Sequence, residues 1–177
     1  TFEVDKNEKI LKITQMGLPS FPKNFEKLQN LQILNLSNNQ IQKIPKEIIN
    51  LKKLYHIDLS SNKIKGIPKE IENLTDLKYI RLSDNEIEEF PKELLKLKNL
   101  KNLYINDNKI SKIPKEIEFL KNLMYLNLSA NIRVYFLICQ IFTIFVIVND
   151  DNASYCTIYH FDQQLCAELF RTGIQAC

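Results

Sequence analysis

The side chains that could do covalent or metal chemistry are few and widely spaced. Cys139, Cys156, His160, Cys166 and Cys177 are zinc-ligand and disulfide residue types, but no two form a C-x-x-C or other close pair, so the metal signal is weak. His56 is expected as a surface residue and not as a general base. There is no G-x-x-x-x-G-K-S/T, no G-x-G-x-x-G and no H-E-x-x-H, and three glycines and two histidines leave little for phosphate loops or base catalysis. Neither catalysis nor a cofactor is expected. What remains is recognition chemistry. Tyr79, Arg81, Tyr104 and Tyr125 are of the types most enriched in interface hot spots. Asn39, Asn62, Asn85, Asn108 and Asn131 carry amides that both donate and accept.

These asparagines fall 23 residues apart, and the elements that must position everything else follow that period. Residues 28 to 50 read LQNLQILNLSNNQIQKIPKEIIN, and the pattern restarts at 51, 74, 97 and 120. Leu28, Leu31, Leu34 and Leu36 are spaced L-x-x-L-x-x-L-x-L. The last two alternate as a strand with one buried face would, and they recur as Ile57/Leu59, Ile80/Leu82, Leu103/Ile105 and Leu126/Leu128. Ile41, Ile44, Pro45 and Ile48 return the chain to Leu51. Pro45, with its fixed φ and no N–H, is expected at the first position of a helical or 3-10 turn, with Glu47 near the turn's positive end.

A fixed period in the twenties with this Leu/Asn pattern resembles the leucine-rich repeat superfamily, over residues 8 to about 131. I-P-K-E-I followed by L-x-x-L-x-x-L-x-L-x-x-N is similar to the 23-residue class of intracellular Ras-group and Scribble-like scaffolds. The resemblance implies an α/β leucine-rich repeat solenoid: a right-handed superhelix, with a parallel β-sheet on the concave face and short helical or 3-10 segments on the convex side. It further implies that the asparagines form a ladder along the solenoid. A single repeat cannot bury its own apolar residues, so stacking of neighbours makes the core. The partners implied are a small GTPase, a phosphatase subunit or another signalling protein.

If positions 34 and 36 point inward, positions 33, 35 and 37 of each repeat point to the concave face. The rows are then Ile33, His56, Tyr79, Asn102, Tyr125; Asn35, Asp58, Arg81, Tyr104, Asn127; and Ser37, Ser60, Ser83, Asn106, Ser129. His56, Asp58, Tyr79, Arg81, Asn102, Tyr104, Tyr125 and Asn127 are the expected protein-binding residues. Lysines and glutamates alternate over the convex side and loops, as a soluble surface requires. From 132 onward Arg133 and Arg171 face four acids, a net of −2; with +3 for the whole chain, residues 1–131 carry +5. The concave rows hold no basic stripe, and nucleic-acid binding is not expected.

Residues 1–27 form a degenerate repeat or cap. Leu11 and Ile13 take the strand positions, Leu18 that of Ile41, Phe21-Pro22 that of Ile44-Pro45 and Phe25 that of Ile48, while Met16 replaces the turn asparagine. The chain begins at Thr1, so the lack of a signal peptide proves little. No cysteine precedes Cys139, whereas extracellular members of the superfamily usually carry a disulfide-bonded N-terminal cap; a reducing, cytoplasmic setting is expected. Residues 28–131 are the repeats and 132–177 a tail in which the pattern stops. The apolar run 132–148 admits three accounts: a capping element, a membrane segment, or a translated intron or frameshift. As a membrane helix it is marginal, since about 17 residues at ~1.5 Å each fall short of a ~30 Å hydrocarbon core.

A chain of 177 residues with 45% hydrophobic and 25% charged residues suits one globular domain plus a tail. The expected function is a non-enzymatic, monomeric scaffold for protein–protein interaction in intracellular signalling. The alternatives are a membrane-anchored, receptor-like protein and a regulatory subunit of a phosphatase or kinase.

Overall fold

A computed structural model describes residues 7–131. Six strands, β1 (Ile10–Lys12), β2 (Ile33–Asn35), β3 (His56–Asp58), β4 (Tyr79–Arg81), β5 (Asn102–Tyr104) and β6 (Tyr125–Asn127), pair in parallel in chain order. The register shift is one repeat at each step: Leu34 lies opposite Ile57, Ile57 opposite Ile80, and Ile80 opposite Leu103. The sheet is therefore a direct reading of the sequence period, and every row of equivalent residues becomes a row in space. Main-chain bonds continue beyond the strands, as where the Asn38 N–H donates to Ser60 O at 2.9 Å.

The return half of each coil is a 3-10 segment: Phe25–Lys27, Lys46–Asn50, Lys69–Asn73, Lys92–Lys96 and Lys115–Phe119. Here the structure corrects one detail of the sequence reading. Pro45, Pro68, Pro91 and Pro114 do not occupy the first helical position; they precede it in extended backbone, with ψ between 102° and 148°. Each proline carbonyl accepts the N–H three residues on at 3.1 Å, as Pro45 O does from Ile48. The ring fixes φ near −70°, which extended and helical backbone share, so proline serves as the straight approach to the turn.

One core runs the length of the described chain. Leu34, Leu36, Ile41, Ile48 and Leu51, with their equivalents in later coils, are almost fully buried between sheet and 3-10 segments, except Ile117 of the last described coil, which is partly buried. Packing of this kind contributes about 1.5–3 kcal/mol per buried Leu or Ile side chain. In the first coil Phe21 and Phe25 replace two aliphatic rungs and meet edge to face at 5.0 Å, extending the core into the degenerate repeat. An apolar void of about 10 Å³ beside Ile44, Ile57 and Leu82 is too small to hold a molecule larger than water. Residues 1–6 of the expected cap 1–27, the tail 132–177 with its apolar run 132–148, and the four cysteines with His160 all lie outside the described residues.

Candidate protein-binding face

The asparagine row is what ties one coil to the next. Asn85 lies at the bend after β4, where its Oδ1 accepts the Ile64 N–H at 2.9 Å and its Nδ2 donates to Leu59 O at 3.0 Å, both in the preceding coil. Nδ2 also donates to Leu82 O of its own coil at 3.1 Å. Asn39, Asn62, Asn108 and Asn131 repeat this arrangement, with Asn39 accepting from both Met16 and Leu18. The residue before each of them has positive φ: Asn38, Ser61, Asp84, Asp107 and Ala130 lie between 51° and 58°, and Gln15, before Met16 in the degenerate coil, has φ 59°. That left-handed step turns the chain out of the strand and aims the following amide inward.

With Leu34, Leu36 and their equivalents facing the core, the alternate rows lie on the sheet's open face. On β4–β6 they converge into a single patch. The Arg81 guanidinium carbon sits 4.9 Å from the Tyr104 ring centre, and Tyr104 and Tyr125 approach to 4.7 Å. Arg81 and Tyr79 are exposed, whereas Tyr104, Tyr125 and Asn102 are half-buried by their neighbours. On β3 and β4 a second aromatic group forms from His56, 5.8 Å from Tyr79, and Tyr55, 6.5 Å from Tyr79.

Asp58 and Asn127 lie differently from open, solvated strand residues. Asp58 is buried, accepts both the N–H and the hydroxyl of Ser60, and pairs with Arg81 at 3.8 Å. Asn127 Oδ1 likewise accepts the Ser129 N–H at 3.1 Å and its hydroxyl at 2.7 Å, as Asn35 does from Ser37. A short acceptor two residues before a serine thus caps the bend in three coils. In β4 and β5 that position is held by Arg81 and Tyr104, which cannot accept in this way; instead Ser83 donates across to Asn106 Oδ1 at 2.6 Å. The local cap is also missing from the degenerate first coil, where Lys12 holds the position; the coils of β4 and β5 are adjacent, and there the residues that replace it, Arg81 and Tyr104, stack on each other.

His56 is set into this face with its Nε2 buried and without a hydrogen-bond partner among the described residues. Burial pushes its pKa below the usual 6.5; the Asp58 carboxylate opposes that shift and Arg81 adds to it. Burial thus disfavours the imidazolium form. No cluster of three or more His, Cys, Asp or Glu that could hold a metal occurs among the described residues.

The sequence reading missed Tyr55 because it precedes the strand and alternation does not assign it to the face. It also missed the D/N-x-S caps, although Asn35-x-Ser37, Asp58-x-Ser60 and Asn127-x-Ser129 were readable as turn signals. The outer-edge bonds of Asn99 to Thr75 O at 2.9 Å and of Asn122 to Lys98 O at 2.7 Å went unread as well.

Family models described as "Leucine-rich repeat region" and "Leucine rich repeat" match residues 67–141 and 21–64. Comparison with curated protein sequences gives no match. Among solved structures, the chain is similar to a leucine-rich repeat protein of Leptospira interrogans, at 38% identity and TM-score 0.52, over 64% of this chain and 35% of that one. It is similar to an internalin from Listeria monocytogenes, at 26% identity and TM-score 0.57, over 63% of this chain and 32% of that one. It also resembles the plant peptide hormone receptor RGFR1, solved in complex with RGF2, at 35% identity and TM-score 0.65, over 72% of this chain and 22% of that one. The chain spans about a third or less of each of these proteins. Between the 23-residue period, the in-register parallel sheet and the asparagine ladder on one side, and the two matching repeat models on the other, the chain belongs to the leucine-rich repeat superfamily.

Proposed function

We propose that this protein is a non-enzymatic interaction module that grips a protein partner with the open face of its sheet, centred on Tyr79, Arg81, Tyr104 and Tyr125. The observation that carries this reading is the pair of coils in which a bend-capping acceptor gives way to Arg81 and Tyr104. Bend geometry alone explains a short polar residue there, as at Asn35, Asp58 and Asn127; it does not explain a guanidinium stacked on a phenol. Ordered aromatic and guanidinium side chains lose little conformational entropy when a partner covers them, which suits a hot spot.

The finer assignment is an intracellular, cytoplasmic signalling scaffold whose partner is a small GTPase, a phosphatase subunit or a similar regulator. It is supported by the resemblance of the I-P-K-E-I repeat to Ras-group proteins. A receptor-like reading is favoured by the likeness to the plant peptide hormone receptor. Among the described residues no helix is long and apolar enough to cross a membrane, and 132–148 lies outside them.

Affinity capture with the full chain and with a Tyr79→Ala/Arg81→Ala/Tyr104→Ala variant tests the face. Partners recovered by the first and lost by the second, at unchanged thermal stability, are expected; equal recovery moves the interface elsewhere. Fractionation separates the settings, since a scaffold is recovered without detergent and an anchored receptor is not.

A further inference from the structure

The charges around this face are sorted by edge. The turns leading into β4, β5 and β6, residues 74–78, 97–101 and 120–124, carry Lys78, Lys98, Lys101 and Lys121 against the single acid Asp76. All four lysines are exposed, and none makes an ion pair or a side-chain hydrogen bond among the described residues. Main-chain bonds hold the basic row together, the Lys101 N–H donating to Lys78 O at 2.9 Å and the Met124 N–H to Lys101 O at 2.7 Å. On the opposite edge, where β4 and β5 end, Asp84 and Asp107 stand exposed. Like charges on adjacent strands repel and do nothing for the fold, so the lysine edge is an uncompensated feature lying beside the tyrosine patch.

From this arrangement, and resting on the sheet-face reading above, we infer that the partner presents an acidic, extended protein segment that runs across β4–β6 along their N-terminal ends. In an extended segment alternate side chains point to opposite sides. One set, carboxylates, meets Lys78 and Lys101. The other set, apolar, lies on Tyr79 and on the Tyr104–Tyr125 pair. The three strands span about 10 Å at ~4.8 Å spacing, which three or four extended residues cover. The carboxylate edge fixes the position: an acidic segment is repelled by Asp84 and Asp107 and held to the lysine side. The two edges are about 20 Å apart along the strand direction, so a nucleic acid broad enough to overlap both meets opposing charge, whereas a single extended peptide does not.

The test is binding of a short fluorescent peptide alternating Glu and Leu to the full chain, with a Lys-Leu counterpart and a single-stranded oligothymidylate as comparisons. The Glu-Leu peptide is expected to bind best, with affinity falling as salt rises. Lys78→Glu/Lys101→Glu is expected to weaken it about tenfold or more, since rim charges of one sign set both attraction and rejection. Lys46→Glu/Lys69→Glu, the same charge change on the 3-10 side, is expected to leave it unaltered. Equal binding of the Lys-Leu peptide, tighter binding of the oligothymidylate, or an unchanged affinity in Lys78→Glu/Lys101→Glu overturns the inference. If partner capture is lost in the Tyr79/Arg81/Tyr104 variant while the Glu-Leu peptide does not bind, the acidic partner is refuted and the sheet face stands. If Lys78→Glu/Lys101→Glu abolishes peptide binding and Tyr79→Ala/Tyr104→Ala leaves it intact, the sheet-face reading is what fails.

Discussion

Replacing Asn85 by alanine is expected to destabilise the protein by about 3 kcal/mol, and the origin of that figure can be followed atom by atom. Asn85 Oδ1 accepts from the Ile64 N–H at 2.9 Å, and Ile64 is fully buried. Alanine leaves that N–H unpaired, at a cost of ~1–3 kcal/mol. The two Nδ2 hydrogens also lose their acceptors, chiefly Leu59 O and Leu82 O, with Ser83 O at a longer 3.2 Å. Neither chief acceptor is orphaned, because Asn62 still donates to Leu59 O at 3.0 Å and Asn108 to Leu82 O at 2.9 Å. Those losses therefore amount to about 0.5–1 kcal/mol each. Asn99 offers the internal comparison: it is exposed and makes one bond to Thr75 O at 2.9 Å, so Asn99→Ala should cost less than about 1 kcal/mol. Urea unfolding of both variants, followed by far-ultraviolet circular dichroism, measures the difference. At about 2–4 °C per kcal/mol for a chain of this size, Asn85→Ala should also lower Tm by roughly 6–12 °C. Asn85→Asp should be worse than alanine, since a carboxylate facing two carbonyls can only accept. If Asn85→Ala proves no more damaging than Asn99→Ala, the asparagine row is not what joins the coils, and the account of the fold given above is refuted.

Two other outcomes follow from the same geometry. Ala130 holds φ 51°, a conformation awkward for a residue with a Cβ and no polar group, where Asn38, Ser61, Asp84 and Asp107 stand in other coils; Ala130→Asn should stabilise by about 0.5–1 kcal/mol in the same unfolding assay, and a loss of stability contradicts the strain assigned to it. His56 binds its proton less tightly in the fold than the unfolded chain does at 6.5, mainly through burial, so the unfolded state takes up more protons and stability falls as pH drops through 6.5 and below. The groups that face it are Asp58, Arg81 and Tyr79. His56→Gln should flatten the stability profile between about pH 7.5 and 5.5, and an unaltered slope shows that the imidazole does not titrate as assigned.

The sequence by itself determined the periodic part of this protein. Leu34 and Leu36, Asn39, Ile44 and Pro45 recur at 23 residues. A strand that alternates and a coil too small to bury its own leucines leave stacking as the way to form a core. Strand register, the inward set and the row in which Tyr79, Arg81 and Tyr104 stand all follow from that period, because neighbouring coils pair one repeat apart. Only the tertiary structure decided how side chains on neighbouring coils share that row. That Asp58 pairs with Arg81, that Arg81 lies over Tyr104, and that Tyr55 joins Tyr79 from outside its strand depend on rotamers and on contacts between residues about one repeat apart. The linear pattern holds no information about these. Proline's place outside the 3-10 turn was likewise settled by ψ, which its ring leaves free, and not by φ, which the ring sets.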